Sequence, residues 1–428
     1  MTRIGQNIHL KSIGVGAFVV GVQLSLNALM AAITIPDASL RGAIQSALDI
    51  AADGEISEEA LASIKSLDAH TREIRSLEGL ESATNLAVVN LGNNSVSDIS
   101  NLENLASPTD LQLNGNPMAS LTVPGGLNSL ANLDLRFNGL SQLTFAEPLV
   151  GLKSLLLDGA TLDSFSFLED LPGLEALHLR GNGLRDVSFL GGLSNLKYLD
   201  LRANSLTSLS FPEGLGSLET LLLEGNQLID VTLPHGMTAL RTLDITGHPA
   251  AGHNHLEVLQ LPNDLHQLEK LILTDNRLSE LVLPPGLSRL ERLDLSRNRL
   301  RHLELPEDLE QITELDLSFN LITHLTIPAG LRSLKVLDLT RSKIRTLELP
   351  VTLDLEELDL RGEVRGEIIY YVPLSFSLRQ GKLELEWVDG ILESKRQLDE
   401  PWVVVDNAVS PYCVSASQPT EFFRVVLP

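Results

Sequence analysis

From Leu86 to Glu363 the chain repeats one pattern thirteen times, L-x-x-L-x-L-x-x-N, and a repeat of that length leaves little choice but a stack of similar coils. The motifs begin at Leu86, Pro108, Leu130, Leu152, Leu174, Leu196, Leu218, Leu240, Leu268, Leu290, Ile312, Leu334 and Leu355. The step is 22 residues, apart from one of 28 and a last one of 21. Leucines at alternate positions, such as Leu199 and Leu201, share one face of a short strand, while Lys197, Tyr198, Asp200 and Arg202 fall on or near the exposed face. One coil alone leaves its leucines in water. Stacked coils bury them against each other, with strands about 4.8 Å apart, so thirteen rungs predict a concave parallel sheet on the order of 60 Å long.

The motif asparagine recurs at Asn94, Asn116, Asn138, Asn182, Asn204, Asn226, Asn276, Asn298 and Asn320. Its amide both donates and accepts, which suits a turn whose backbone groups would otherwise be buried unpaired. Counting along the motif places Ala160, His248, Ser342 and Glu363 in that slot in four rungs, where the ladder is expected to be weaker or differently capped. After the asparagine come apolar alternations ended by proline, Leu281 to Pro284, Leu303 to Pro306, Leu325 to Pro328 and Leu347 to Pro350, which predict a second set of short strands. The expected fold is mainly β: a right-handed leucine-rich repeat solenoid of about thirteen 22-residue turns, with a small helical N-terminal cap and a C-terminal β-module.

Residues 1–32 read as a secretory signal: Arg3 and Lys11 at a basic start, Ile13 to Leu29 as the apolar stretch, and the small residues Ala28, Ala31 and Ala32 at the exit. An uncleaved membrane anchor is the rival reading, although Gln23, Ser25 and Asn27 interrupt the apolar run. Residues 33–85 read as the cap, because Leu40, Ile44 and Leu48 follow Asp37, and Leu61, Ile64 and Leu67 follow Ser57, at helical spacing. Residues 86–365 hold the repeats. Beyond them, 366–428 switch to alternating strands at Lys382 to Trp387, Trp402 to Val405 and Phe422 to Val426. The single cysteine, Cys413, permits no internal disulfide and reads as a small buried apolar residue.

Ile35-Pro36-Asp37, Ile56-Ser57, Leu61, Leu67, Ile74 to Leu80 and Asn85-Leu86 resemble the cap and first repeats of the internalin-like bacterial leucine-rich repeat proteins. That resemblance implies a curved solenoid that is secreted or held at the cell surface and binds other proteins on its concave sheet. No LPxTG-type sorting signal accompanies it, so covalent wall anchoring of that kind is not implied. Leu385 to Trp387, Gly390, Leu392, Pro401-Trp402, Val405, Ser410 to Tyr412 and Phe422 to Arg424 resemble a short module that ends many exported bacterial proteins. It reads either as a cap for the last coil or as an export or surface-retention element.

The function classes narrow from here. A net charge of −24 repels phosphate backbones, so nucleic acid and anionic membranes are not expected partners. No G-x-S-x-G elbow, H-E-x-x-H or phosphate loop is present, so neither an enzyme nor a cofactor is expected. In the 28-residue repeat His248, His253 and His255 are the weak candidates for a metal site, set against a plain solvated insertion. The aspartate run Asp294, Asp316, Asp338 and Asp359 admits cation binding, or merely the common wording L-D-L-S with Ser and Thr sharing its hydrogen bonds. The stronger candidate is a binding patch on the sheet: Arg136, Arg180 and Arg202 flanked by Phe137, His178 and Tyr198, with Leu156 and Leu222 adding apolar area. Against it, Arg136 and Arg202 are placed to neutralise Asp134, Asp158 and Asp200 across the sheet. The reading is an exported recognition protein for a protein or other macromolecule; the alternative is a structural envelope component with no discrete ligand.

Overall fold

The computed structural model describes residues 32–361 except 104 and 248–252, and beyond 361 it describes Ser410, the backbone of seven strands and the side chains of Ile368, Ile369, Leu385 and Val404. The signal segment and His248 lie outside the described residues. Asp37 and Ser57 start helices Ala38–Ala47 and Glu58–Ser63 by accepting from the backbone N–H groups of Ser39, Leu40 and Ala60. Leu40, Ala43, Ile44 and Leu61 are buried. The second carboxyl oxygen of Asp37 accepts from Arg75 and Ser76, tying the helix start to the following turn.

The chain divides into two compact units, residues 1–152 and 153–428. In the first, strands Ser66–Asp68, Val88–Asn90, Asp110–Gln112 and Asn132–Asp134 pair in parallel, each 22 residues from its partner. In the second, the parallel ladder runs from Ser154–Leu156 to Glu357–Asp359. Leu199, Leu221 and Leu243 are directly opposed and fully buried, and the register steps by 28 only from Asp244 to Ile272. The leucine columns thus form the core that the repeat requires: the fold is a leucine-rich repeat solenoid, mainly β, with few helices.

On the opposite side the segments after the asparagine take two forms. At Asp98, Ser164 and Asp186 the short side chain accepts from the backbone N–H of the Ser two residues on, and a 3-10 turn follows. Elsewhere short strands form, among them Ser120–Val123 with Gln142–Phe145, and His324–Thr326 with Thr346–Pro350. The expected strands at Leu281 to Pro284 and Leu303 to Pro306 do not form, although Leu281, Leu283, Leu303 and Leu305 are buried. Alternation is enough to bury leucines, but a ladder also needs aligned backbone groups, and these segments lack that alignment.

Beyond the repeats, Leu374–Arg379, Lys382–Trp387 and Tyr412–Val414 pair antiparallel, as do Ile391–Lys395, Val403–Val404 and Phe422–Val426. The side chain of Cys413 lies outside the described residues. No helix among the described residues is long and apolar enough to cross a membrane.

Candidate functional site

The asparagine ladder sets where every exposed side chain stands. Asn204 is typical: its Nδ2 donates to the carbonyls of Leu179 and Leu201, and its Oδ1 accepts from the N–H groups of Asn182 and Leu184. The residue before the slot is left-handed in most rungs, with φ near +55° at Asn93, Phe137, Ala203, Asp275, Arg297, Phe319 and Arg341, the last of them before Ser342. At the Ala160 rung the ladder is weaker, as expected: Asn182 Oδ1 is buried with no partner. The 28-residue repeat corrects the count along the motif. Asn254, not His248, fills the asparagine slot; it is fully buried, donates to Leu223 and Thr246 and accepts from Leu228. The six added residues lie between Gly247 and Asn254, and from Asn254 the repeat is back in register, with an amide that satisfies the backbone groups of the slot.

The residues between the strand leucines have a structural job as well. Asp134, Asp200, Asp244, Asp294, Asp316, Asp338 and Asp359 each accept from the backbone N–H two residues on, at 2.7 to 3.1 Å. Ser296 and Thr246 add a hydroxyl bond to the same carboxylates. Among the described residues no group of three His, Cys, Asp or Glu is arranged to hold a metal ion. His253 and His255 flank Asn254, and burial, followed by the charge of Arg277, pushes the His255 imidazole down.

Asp316 stands in register between Asp294 and Asp338. Burial raises its carboxyl above the usual range, and both neighbouring carboxylates raise it further, against the bonds from Ser318. The folded state therefore holds this proton more tightly than the unfolded one, so the penalty is absent below the ordinary carboxylate pKa and grows as pH rises through the raised one. Asp316→Asn keeps an acceptor for Ser318 and removes the charge. It is expected to gain about 0.5 kcal/mol in urea unfolding at pH 7, and less at pH 4. An equal gain at both pH values would exclude this account.

The sequence-predicted patch divides between the two units. In the first, Arg136 forms a two-point bridge to Asp134 at 2.7 and 2.9 Å, and Phe137 is 67% exposed in its left-handed turn. In the second, Arg202 forks onto Asp200 at 2.6 and 2.9 Å; that carboxylate is 1% exposed, and it keeps the guanidinium fully charged. Both pairs lie within one rung, not across the sheet, each arginine two residues beyond the aspartate that ends its strand. Tyr198 stacks on His178 of the adjacent rung, ring centroids 4.7 Å apart at 26°. Burial, then Asp200, raises the Tyr198 phenol. Arg180 is exposed, and its backbone N–H donates to Asp158 at 3.0 Å. Leu156 and Leu222 are half-buried on the same face. Lys153 and Lys197 bracket Glu175 at 2.9 and 2.7 Å and lower its pKa to about 2.

An open cavity of about 720 Å³ lies between two 3-10 turns, lined in part by Asp163, Glu169, Asp186 and the stacked rings of Phe165 and Phe189. Hydrogen bonds from the Ser188 hydroxyl and backbone lower the Asp186 carboxyl, so it is kept ionised and is no proton donor near neutrality.

Residues 172–228 match the family described as leucine rich repeat, and residues 289–312 match a second leucine rich repeat description. No curated protein matches at the sequence level. Among solved structures, an internalin of Listeria monocytogenes is 21% identical over 80% of this chain and 98% of its own, with a TM-score of 0.50. A leucine-rich repeat protein of Leptospira interrogans is 25% identical over 73% and 87%, with a TM-score of 0.54. A TLR13–ssRNA13 complex is 22% identical over 67% and 48%, with a TM-score of 0.51. Because that structure holds RNA, the fold lends no support to the expectation that nucleic acid is excluded. Leucine-rich repeat proteins generally mediate protein binding, and this chain has the leucine-rich repeat fold.

Proposed function

We propose that the chain is an exported recognition protein that binds a macromolecule, in the first place a protein, on the face of its parallel sheet. The resemblance of its cap to internalin-like proteins and the signal-like residues 1–32 support export. The binding surface proposed on the second unit consists of His178, Arg180, Tyr198 and Arg202, with Leu156 and Leu222 at its margins. On the first unit Arg136 and Phe137 present the same residue types. The observation that carries the reading is the stacked His178–Tyr198 pair beside an arginine held rigid by a buried carboxylate. A pre-ordered ring and guanidinium lose little freedom on binding, which is what makes such residues dominate interfaces.

The geometry also selects the test. Arg202→Glu would set a second carboxylate against buried Asp200 and damage the fold, so the informative variant is Arg180→Glu with Tyr198→Ala. The host is fractionated, the mature amino terminus sequenced, and the partner captured by crosslinking to the purified chain is titrated against both proteins. A terminus near Ala32 in the envelope or medium, and affinity reduced at least 10-fold at unchanged thermal stability, are expected. Unchanged affinity in the variant would remove the sheet face as the site, and an intact Met1 in the cytosol would remove export.

A further inference from the structure

The cations of this acidic chain are not spread evenly. At the turn edge, on either side of the asparagine ladder, three successive repeats carry Arg297 and Arg299, then Phe319 and Leu321, then Arg341 and Lys343. The backbone stacks them: Arg297 donates to Ser318, Phe319 to Thr340, and Leu321 to Leu300. The three repeats from 181 to 227 place Gly, Ala, Ser or Gln in these columns, at Gly181, Gly183, Ala203, Ser205, Gly225 and Gln227, and the repeat just before the patch holds Asp275 and Arg277. Arg301 and Arg345 extend the cationic border one column further, and all six cations are exposed.

The middle rung is apolar and ordered. Phe319 is 37% exposed and Leu321 38%. The left-handed turns at Arg297, Phe319 and Arg341, each with φ of 55°, aim all three side chains alike. The Arg297 guanidinium carbon lies 4.4 Å from the Phe319 ring centre and that of Arg341 5.5 Å, one from each neighbouring rung, within cation–π range. Asp275 reaches Arg297 only at 4.0 Å. The result is an apolar centre held between Arg297 and Arg341, with Arg299 and Lys343 exposed beside them, the arrangement of a binding hot spot with a charged border.

We propose that this turn edge is a second binding surface, separate from the sheet face, and that it takes a short acidic segment of a partner protein: one apolar or aromatic residue with carboxylates within one or two positions on either side. Charge complementarity names the sign of the partner. Arg297 and Arg341 stand two rungs apart, about 10 Å by ladder spacing, which is about three residues of extended peptide. A nucleic acid fits less well. A longer polyanion would run onto the acidic remainder of the chain.

The test uses the full chain and a fluorescent peptide with one phenylalanine between two pairs of aspartates. Parallel titrations use the same peptide with asparagines for aspartates, and a 12-nucleotide single-stranded RNA. Binding of the acidic peptide is expected to weaken at least 10-fold in Arg297→Glu/Arg341→Glu, at least 3-fold in Phe319→Ala, and at least 5-fold between 50 and 300 mM salt (roughly, for two to three ion pairs). It is expected to be unchanged in Arg180→Glu/Tyr198→Ala, which separates failure here from failure at the sheet face. Thermal unfolding confirms that each variant is folded. Equal binding of the asparagine peptide, equal binding by Arg297→Glu/Arg341→Glu, or tighter binding of RNA lost in that same variant would each overturn the proposal.

Discussion

Replacing Asn226 with alanine is expected to cost about 3–5 kcal/mol, since each buried polar group left unpaired costs about 1–3 kcal/mol and the turn relaxes partly. Asn226 is fully buried. Its Nδ2 donates to the carbonyls of Leu201 and Leu223, both at 2.9 Å, and its Oδ1 accepts from the Leu206 N–H at 3.2 Å. Alanine strands all three groups where no solvent reaches. Urea unfolding is compared with that of Asn195→Ala, whose exposed amide makes one bond, to the Pro172 carbonyl, and whose loss is expected to cost under about 1 kcal/mol. Because each coil touches only its neighbours, the damaged turn is also expected to open before the rest, seen as a split or broadened transition. If the two variants unfold within about 1 kcal/mol of each other, the ladder is not the support assigned to it.

Gly247→Ala is the second large effect, about 3 kcal/mol or more for backbone forced apart in a packed site. A Cβ there would sit 2.0 Å from the Asp275 carbonyl oxygen and 2.8 Å from that of Asn254, both backbone atoms with nowhere to go. The same column accepts Phe137, Ala203 and Arg297, all at positive φ and with side chains directed outward. Gly247 does not share that conformation, and the Asp275 carbonyl of the next coil, with that of Asn254, stands where its side chain would go. Gly225→Ala is the matched control: φ is +72° and the added Cβ meets only ordinary contacts, so its cost is about 1–2 kcal/mol of left-handed strain. Equal stability losses in the two alanine variants would show that these carbonyls do not enclose Gly247.

Gly247 and His248 show where reading the repeat stops working. A motif count assigns Gly247 to a column that tolerates side chains and His248 to the asparagine slot, and both assignments fail because the insertion falls inside the turn. The 28-residue step carries the hint: counted back from Leu268, the slot is Asn254. The helix starts at Asp37 and Ser57 were legible because capping acts over three residues. The strands expected at Leu281 to Pro284 and Leu303 to Pro306 were not, because a ladder depends on the next coil.

The candidate sites follow the same rule. That Arg136, Arg180, Arg202, His178 and Tyr198 occupy exposed columns of a parallel sheet follows from spacing alone. That Arg136 and Arg202 are clamped by their own rung's aspartates, while Arg180 is exposed and Tyr198 leans on His178, does not. The Arg297–Phe319–Arg341 stack went unread, since its members are 22 residues apart and only their common left-handed turn aims them together. The sequence by itself determined the coil, its leucine core and the register, because those repeat every turn and each turn repeats the same local chemistry. Tertiary structure alone decided which exposed groups are already paired and which glycine cannot change, because those depend on distances between atoms of different coils.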